Sequence, residues 1–499
     1  MIEIFINIMV ALYSCAMLFV LIHSLFDAHL IYHYLLSFKK KQKVFYGNDF
    51  TPFVTIQLPV YNELHVVERL IDAVVLIDYP KNKFEIQLLD DSTDETSEII
   101  SRKVAALKLQ NISIHHIQRT NREGFKGGAL KHGLSLAKGE FFAIFDADFL
   151  PSKDFLKRTL PFFTDPKIGM VQTKWGHINK ETSLLANLQA IALDGHFSVE
   201  QRGRNAAGYF INFNGTAGVW RKQTILDAGN WQSDTLTEDF DLSYRAQMKG
   251  WQFKYLEDFV TPAELPPLIS ALKTQQFRWT KGGAETARKN MKTLFASKLS
   301  LSVKLHGAFH LIYSLGFISI IIYTLLSVPL LFVKQFYPDY NLLFKISGLI
   351  GISFFIYIVH YFISYFNNTS GSVLQKITGF IFRFPLFVSL FIGLSLSNAI
   401  GILQGYLGIK SGFVRTPKFN AVDKINNTIR SSYMQTKINW LNITEGVLIF
   451  YFLFGVIQSI YFKNYASLPL LLMALTGFSM IFILGIKEWR QKTFATLHD

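Results

Sequence analysis

The chain has 499 residues, half of them hydrophobic, and its 50 Lys and Arg against 36 Asp and Glu give a formal net charge of +14. A mean hydropathy of +0.25 is high for a soluble protein, and a single cysteine, Cys15, excludes disulfides within the chain. The positive charge comes without zinc-finger spacing or an arginine-rich tail, so nucleic acid is not expected as a partner; basic loops facing anionic membrane lipids account for it.

The first element is an uncharged stretch over residues 4–26. It is longer than the apolar core of a signal peptide, it follows Glu3 rather than a basic stretch, and it therefore reads as a retained transmembrane anchor over 1–38. Lys39, Lys40, Lys41 and Lys43 come directly after it. By the positive-inside rule that side is cytoplasmic, which predicts a multi-pass protein of the plasma (inner) membrane with its central domain in the cytoplasm.

Residues 50–265 alternate strand and helix patterns. Val54–Leu58 predicts a strand, followed by the loop Pro59-Val60-Tyr61-Asn62-Glu63 and a helix from about Leu64. Phe84–Leu89 predicts a second strand ending on Asp90-Asp91, Ile112–Ile117 a third, Gly127–Ala137 a helix, and Phe141–Phe145 a fourth strand ending on Asp146. This succession implies a largely parallel sheet covered on both faces, with ligands bound at the carboxyl ends of its strands. A long helix follows over about 181–204, then a Gly/Asn-rich loop over Asn212–Gly218, then a helix Glu238–Lys249 with Thr237 as its N-cap.

The acidic residues at these strand ends carry the chemistry. Asp146 and Asp148, alternating across Ala147, offer hard oxygen ligands to a divalent cation, which neutralises a phosphorylated leaving group, or form an ordinary acidic turn. Asp90 and Asp91 face a nucleotide or serve ordinary turn chemistry, and Lys126 opens a helix where phosphate is held or is a solvated lysine beside a turn. Asp239, after Thr237-Glu238, is placed to accept a proton from an attacking hydroxyl, or merely to favour a helix N-terminus. An amphipathic helix follows Pro266-Pro267 over about 268–296, within an interfacial segment 266–300. Its Gln275-Gln276-Phe277-Arg278-Trp279 pentad puts Gln275, Arg278 and Trp279 on one face, for diphosphate and for a sugar ring or for the lipid head-group level of an interfacial helix.

The second half holds uncharged runs at 311–333 and 346–366 and apolar runs at about 384–407, 446–462 and 466–486. Counting each as a crossing would place the basic loop around Lys418 on the outside, against the charge rule. The expectation is therefore a hairpin over 301–372, an interfacial or re-entrant segment within 373–430, and a second hairpin over 431–499, with five true crossings.

Four motifs in order, Leu89-Asp90-Asp91, Asp146-Ala147-Asp148, Thr237-Glu238-Asp239 and Gln-Gln-Phe-Arg-Trp, resemble those of processive family-2 glycosyltransferases of the cellulose-synthase-like group. Gln172–His177, Phe213-Asn214-Gly215-Thr216 and Phe413–Lys418 are similar to segments of the plant mannan and xyloglucan-backbone synthases and their bacterial relatives. The resemblance implies an α/β GT-A (Rossmann-like) catalytic domain joined to an α-helical transmembrane region. It implies polymerisation of hexose from UDP-glucose or GDP-mannose into a β-linked polysaccharide with inversion, and export of the polymer. Asp239 would be the base, Asp146 and Asp148 would meet the metal, and Asp90, Asp91, Lys126, Asp146 and Arg278 would bind the donor. Phe213, Asn214, Gly215, Thr216, Glu238, Gln275 and Trp279 would surround the growing polysaccharide, and Phe413, Arg415, Thr416 and Lys418 would form a gating loop. Few residues follow the last apolar run, so a C-terminal cyclic-di-GMP-binding domain is not expected. Transfer of one sugar to a membrane lipid is the alternative, and an inactive scaffold the third reading.

Overall fold

The computed structural model describes residues 1–39, 50–412, 415, 418 and 438–496. The expected gating positions Phe413 and Thr416 lie outside these. The layer expected to be catalytic is built on a seven-stranded sheet of order β3-β2-β1-β4-β6-β5-β7. The strands are β1 Val54–Val60, β2 Phe84–Asp90, β3 Ile114–Gln118, β4 Phe141–Ile144, β5 Ile168–His177, β6 Gly218–Arg221 and β7 Gln252–Ala263. β1 pairs in parallel with β2 and β4, β2 with β3, and β5 with β7; only β6, between β4 and β5, runs antiparallel. β2 and β4 are buried along their whole length. That burial follows from helices on both faces of a parallel sheet and explains why these strands read as continuous apolar runs.

The helices that position the site are α1 Ile2–Ser37, α2 Val67–Val75, α3 Thr96–Leu109, α4 Phe125–Leu136, α5 Leu184–Gly195, α6 Gln201–Ala207, α7 Glu238–Met248 and α8 Ile269–Ala296. The long helix expected over 181–204 begins at α5, where the Ser183 side chain accepts from the Ala186 amide, and continues to α6 through a π-helical turn, His196–Glu200. Thr237 starts α7 without capping it; its hydroxyl instead lies 3.2 Å from the Thr286 hydroxyl of α8. α9 Leu301–Leu311 leads to α10 Leu315–Phe336, α11 Ile350–Asn368, α12 Val373–Leu407, α13 Trp440–Tyr461 and α14 Leu468–Thr496.

Among the described residues, six helical segments are long and apolar enough to cross a membrane: α1, α10, a segment Pro338–Asn368 containing α11, α12, α13, and Tyr465–Gln491 of α14. The ends of five of them sort to two levels. Away from the sheet, Tyr340 donates to Asn7 at 2.7 Å and Lys334 to Asn464 at 3.0 Å. Near it, Asn368 at the end of α11 donates to Ser198 at 2.9 Å, Glu488 of α14 accepts from the Ile269 amide at 2.6 Å, and Lys273 donates to Glu445 of α13 at 2.6 Å. α12 differs. It starts beside α11, where Lys376 donates to the Phe366 carbonyl at 2.9 Å, and it ends along α8, where a Cβ on Gly405 would meet the Lys281 carbonyl at 2.6 Å. The apolar run at 384–407 is extended backwards to Val373 because Lys376 and Arg383 have partners there, Arg383 donating to the Tyr365 hydroxyl at 3.2 Å.

α12 and α14 cross in backbone contact at Gly393 and Gly477. A Cβ on Gly477 would stand 2.0 Å from the Ser389 carbonyl, and one on Gly393 2.5 Å from the Gly477 carbonyl. Close crossing at small residues is how membrane helices gain packing energy. Gly477→Val is therefore expected to cost about 1–3 kcal/mol or more by overpacking, read as a lower unfolding temperature in detergent, while Gly316→Ala, where nothing lies within 4 Å, leaves it unchanged.

Candidate active site

The loops at the carboxyl ends of β1, β2 and β4 and the start of α7 meet α8 around a cleft open to solvent. Asp91, Lys126, Asp146, Asp148, Asn214, Gly215, Glu238, Asp239, Gln275, Arg278, Trp279, Arg415 and Lys418 all line it. Residues separated by more than three hundred positions are thus brought together. Around the cleft, Asn62, Phe125 and Ala217 hold positive φ values of 56°, 48° and 54°, backbone strain of the kind found at functional sites.

Lys126, in the first turn of α4, donates to Asp146 at 2.5 Å and to the Gly215 carbonyl at 2.8 Å. Burial would raise the Asp146 carboxyl, but Lys126 and Lys418 outweigh it and hold it below the usual range. Lys418 donates to Asp148, and the Arg415 guanidinium grips both oxygens of Glu63, at 3.0 and 2.7 Å. Two hard carboxylates that draw ammonium groups to themselves fit a divalent cation, with Asp146 and Asp148 as the residues that would hold it.

Asp239 is half-buried in the cleft wall. Burial, and then the neighbouring charge of Glu238, push its carboxyl up to about 7. Gly215 faces it with φ +81°, a conformation only glycine adopts without strain, and a Cβ there would stand 3.0 Å from the Asp239 carboxylate. Ser243 donates to the Asp239 carbonyl at 2.6 Å and accepts from the Phe213 amide at 2.9 Å, tying the 213–216 loop to Asp239. α8 reaches this place because Gly282 has no side chain: a Cβ there would meet Thr237 at 2.6 Å. Glu285, accepting from the Leu236 amide at 2.8 Å, and Asn290, donating to buried Asp241 at 2.8 Å, fasten the helix.

Three expected site residues lie behind the wall. Asp90 is 2% exposed; it accepts from His116 at 2.8 Å and from the Ser92 amide at 2.9 Å, and the His116 bond foremost offsets burial and holds its carboxyl down at about 2. It shapes the loop, while Asp91, held by the two-pronged Arg119 at 2.9 and 2.5 Å, faces the cleft. Phe213 is buried among Trp220 and Trp231, and Thr216 is spent accepting from the Asp146 amide at 2.9 Å. Alternation along one short loop sends Asn214 outward and its neighbour inward. The sequence reading missed Arg119, whose pairing across the β2–β3 loops has no local signal. It also passed over Trp175, His177 and Glu63 as site residues, although it had singled out their segments.

A separate trio, Asp27, Glu200 and His360, has ligand-type atoms within 4.8 Å of one another. It lies outside the cleft, between α1, the π-helical turn and α11, with His360 Nδ1 2.7 Å from Asp27 and His196 Nδ1 3.0 Å from Glu200. It fastens the helices to the catalytic layer.

Residues 52–282 match the model of the family described as glycosyltransferase like family 2. A probable glucomannan 4-beta-mannosyltransferase 4 of Oryza sativa subsp. japonica is 41% identical over 281 residues, 55% of this chain and 51% of that protein. Glucomannan 4-beta-mannosyltransferase 1 of Cyamopsis tetragonoloba is 41% identical over 272 residues, 54% and 51% of the two chains. These matches span about half the length of the relatives. The structure of a mannosyltransferase from Pyrobaculum calidifontis in complex with GDP-Man and Mn²⁺ superposes with a TM-score of 0.53 at 18% identity, covering 79% of this chain and 99% of that one. At that identity the likeness is one of fold, and the catalytic layer has the expected GT-A architecture.

Proposed function

Because residues 52–282 match the family described as glycosyltransferase like family 2 and glucomannan mannosyltransferases are 41% identical over about half of their length, we propose that this protein is a family-2 glycosyltransferase of the cellulose-synthase-like group that polymerises hexose from a nucleotide sugar into a β-linked polysaccharide, with inversion. The observation that carries this reading is the cleft in which Asp239, the Asp146–Asp148 pair and Trp279 stand together. GDP-mannose is the first donor to test, since the relatives are named for mannosyl transfer; UDP-glucose is the second.

In this reading Asp239 accepts the proton of the acceptor hydroxyl as that oxygen attacks the anomeric carbon. The new C–O bond forms on the face opposite the diphosphate, whose bond to the sugar breaks, and nucleoside diphosphate departs. Mg²⁺ or Mn²⁺ held by Asp146 and Asp148 would neutralise the departing diphosphate. Arg278 and Lys126 add positive charge on the same wall, and Trp279 offers a flat apolar face to the acceptor sugar. The tight Lys126–Asp146 pair keeps that wall in register.

We place the catalytic layer in the cytoplasm, beside the basic residues that follow α1. α12, which starts against α11 and ends along α8, is read as interfacial or re-entrant, and the other apolar segments as five crossings. This supports a path by which the polymer leaves through the helices.

The experiment is to reconstitute the protein in lipid vesicles with Mg²⁺ or Mn²⁺ and labelled GDP-mannose and UDP-glucose, separately and together. Label in a large, glycosidase-sensitive product is expected. Label only in a small lipid-soluble product would overturn the polymerase reading in favour of single-sugar transfer.

Lys418 and Arg415 reach the cleft from a segment far along the chain, and with donor present their charges are available to its diphosphate. Lys418→Met is expected to raise the donor KM at least about tenfold, the worth of one hydrogen bond to a charged group. Initial rates against donor concentration check this.

A further inference from the structure

Away from the cleft, three histidines meet where α1 reaches the sheet. His29 and His33 are four residues apart on α1 and therefore share a face. His306 comes from α9. His29 Nδ1 stands 2.9 Å from His306 Nε2, and His29 Nε2 stands 3.2 Å from His33 Nε2. The uncharged run of α1 ends at residue 26. Beyond it Tyr34 donates to Glu257 of β7 at 3.3 Å and Ser37 accepts from Arg202 at 2.7 Å, so the cluster lies on the sheet's side of the apolar run.

One member is fixed and two are open. The buried His306 ring is stacked on Tyr209 at 3.8 Å and edged by Phe26 at 4.8 Å. His29 is exposed and His33 half-buried, so the pair on α1 is open to solvent. Imidazole nitrogen binds a metal only in its neutral form. Burial first, and then the charges of Arg204, His29 and His33, hold the His306 imidazole down at about 3, so it is neutral at physiological pH. Arg204, behind His306, shares a small cavity with Asp27 and Glu200, whose carboxylates meet its charge.

A tetrahedral cation with nitrogen ligands at about 2.0–2.1 Å sets neighbouring nitrogens roughly 3.3 Å apart, close to the two contacts seen here. Those contacts run in series through the two nitrogens of His29, so a single cation needs the exposed His29 ring to turn and present one nitrogen to both partners. Three imidazoles with solvent as the fourth ligand select borderline cations such as Zn²⁺, Ni²⁺ or Cu²⁺ over Mg²⁺ or Mn²⁺, which prefer oxygen. We propose that His29, His33 and His306 form a transition-metal site that pins α1 to α9. It is independent of the cleft and of the transferase reading, and its cation differs in class from the oxygen-bound one proposed for Asp146 and Asp148.

The test uses the full chain in detergent, purified without a histidine tag, stripped with EDTA and dialysed. Zn²⁺ is titrated by calorimetry in the Asp146→Asn, Asp148→Asn double variant, so that the cleft does not contribute, and bound metal is counted after gel filtration. One equivalent of Zn²⁺ is expected, and about a hundredfold excess of Mg²⁺ should not displace it. The unfolding temperature should rise with Zn²⁺. His29→Gln, His33→Gln and His306→Gln should each weaken Zn²⁺ binding at least about tenfold by removing one ligand. Because His306 is buried, Co²⁺ bound with all three histidines present gives a reading that needs no variant there: the intense visible spectrum of a tetrahedral nitrogen site is expected. Absence of Zn²⁺ binding, the faint spectrum of an octahedral, water-dominated ion, or full affinity in any of the three variants would overturn the three-histidine site. None of these results bears on the transfer assay, so the function proposed for the cleft stands or falls separately.

Discussion

Asp239→Asn is expected to lower sugar transfer by about a thousandfold or more, toward the upper end of what a positioned general base contributes. Asparagine keeps the shape and the bond to the Phe240 amide, which Asp239 accepts at 2.8 Å, but cannot take a proton. Donor binding should change by no more than a few-fold, because no donor-binding role falls to this side chain. The pH profile gives a second readout. With the carboxyl raised to about 7 by burial and by Glu238, the base is protonated and idle below that pH, so transfer rises through the neutral range to a plateau above it. The residual activity of the Asn variant should lack that limb. Stability should move the other way. A group whose pKa is raised by folding is more costly in the folded state when charged, and stability declines as pH rises from the unfolded carboxylate range toward the folded value. Asp239→Asn removes that cost and is expected to stabilise the protein by on the order of 1 kcal/mol, seen as a higher unfolding temperature at pH 8. A variant both inactive and less stable would contradict the account of a base whose charged form is costly in the folded state.

The second large effect is expected at Asp148. Asp148→Asn leaves the cleft one ligand short for a divalent cation and leaves Lys418 without its carboxylate partner. Transfer should fall by about a hundredfold to a thousandfold, the loss typical of removing one element of electrostatic stabilisation of a leaving group. Chelation with EDTA should bring the parent protein to a similar rate, and readdition of Mn²⁺ or Mg²⁺ should restore the parent but not the variant. If the variant kept full activity, or if the parent were indifferent to chelation, the cation reading of the Asp146–Asp148 pair would be wrong.

The first four strands, the amphipathic helix under the cleft and the membrane segments were all readable in the sequence, for a common reason. Each satisfies its own periodicity: β1, β2 and β4 as apolar runs ending on a turn, and α8 as a helix with Gln275, Arg278 and Trp279 on one face. β5, β6 and β7 were not anticipated. β6 is four residues long, and β7 mixes Lys254, Glu257 and Asp258 into its pattern. Their strand character comes from pairing with partners distant in sequence, β6 running against β4 and β5. The acidic clusters were recognisable by residue type, but which member faces the cleft was not. Asp90 and Asp91 look alike in the sequence; His116 across the β2–β3 pair draws one inward, and Arg119 fixes the other at the wall.

By itself, then, the sequence determined which residue types could carry the chemistry and which segments are apolar enough to meet lipid, because composition and spacing along one element are local properties. Only the tertiary structure decided that Asp239 stands beside Glu238 in the cleft wall, that Gly282 lets α8 bring Trp279 to the cleft, that Trp175 turns toward it while Lys174 turns away, and that α12 starts against α11 and ends along α8. Each of these depends on contacts between distant parts of the chain, where burial, charge pairing and steric fit are set by which backbone comes close to which.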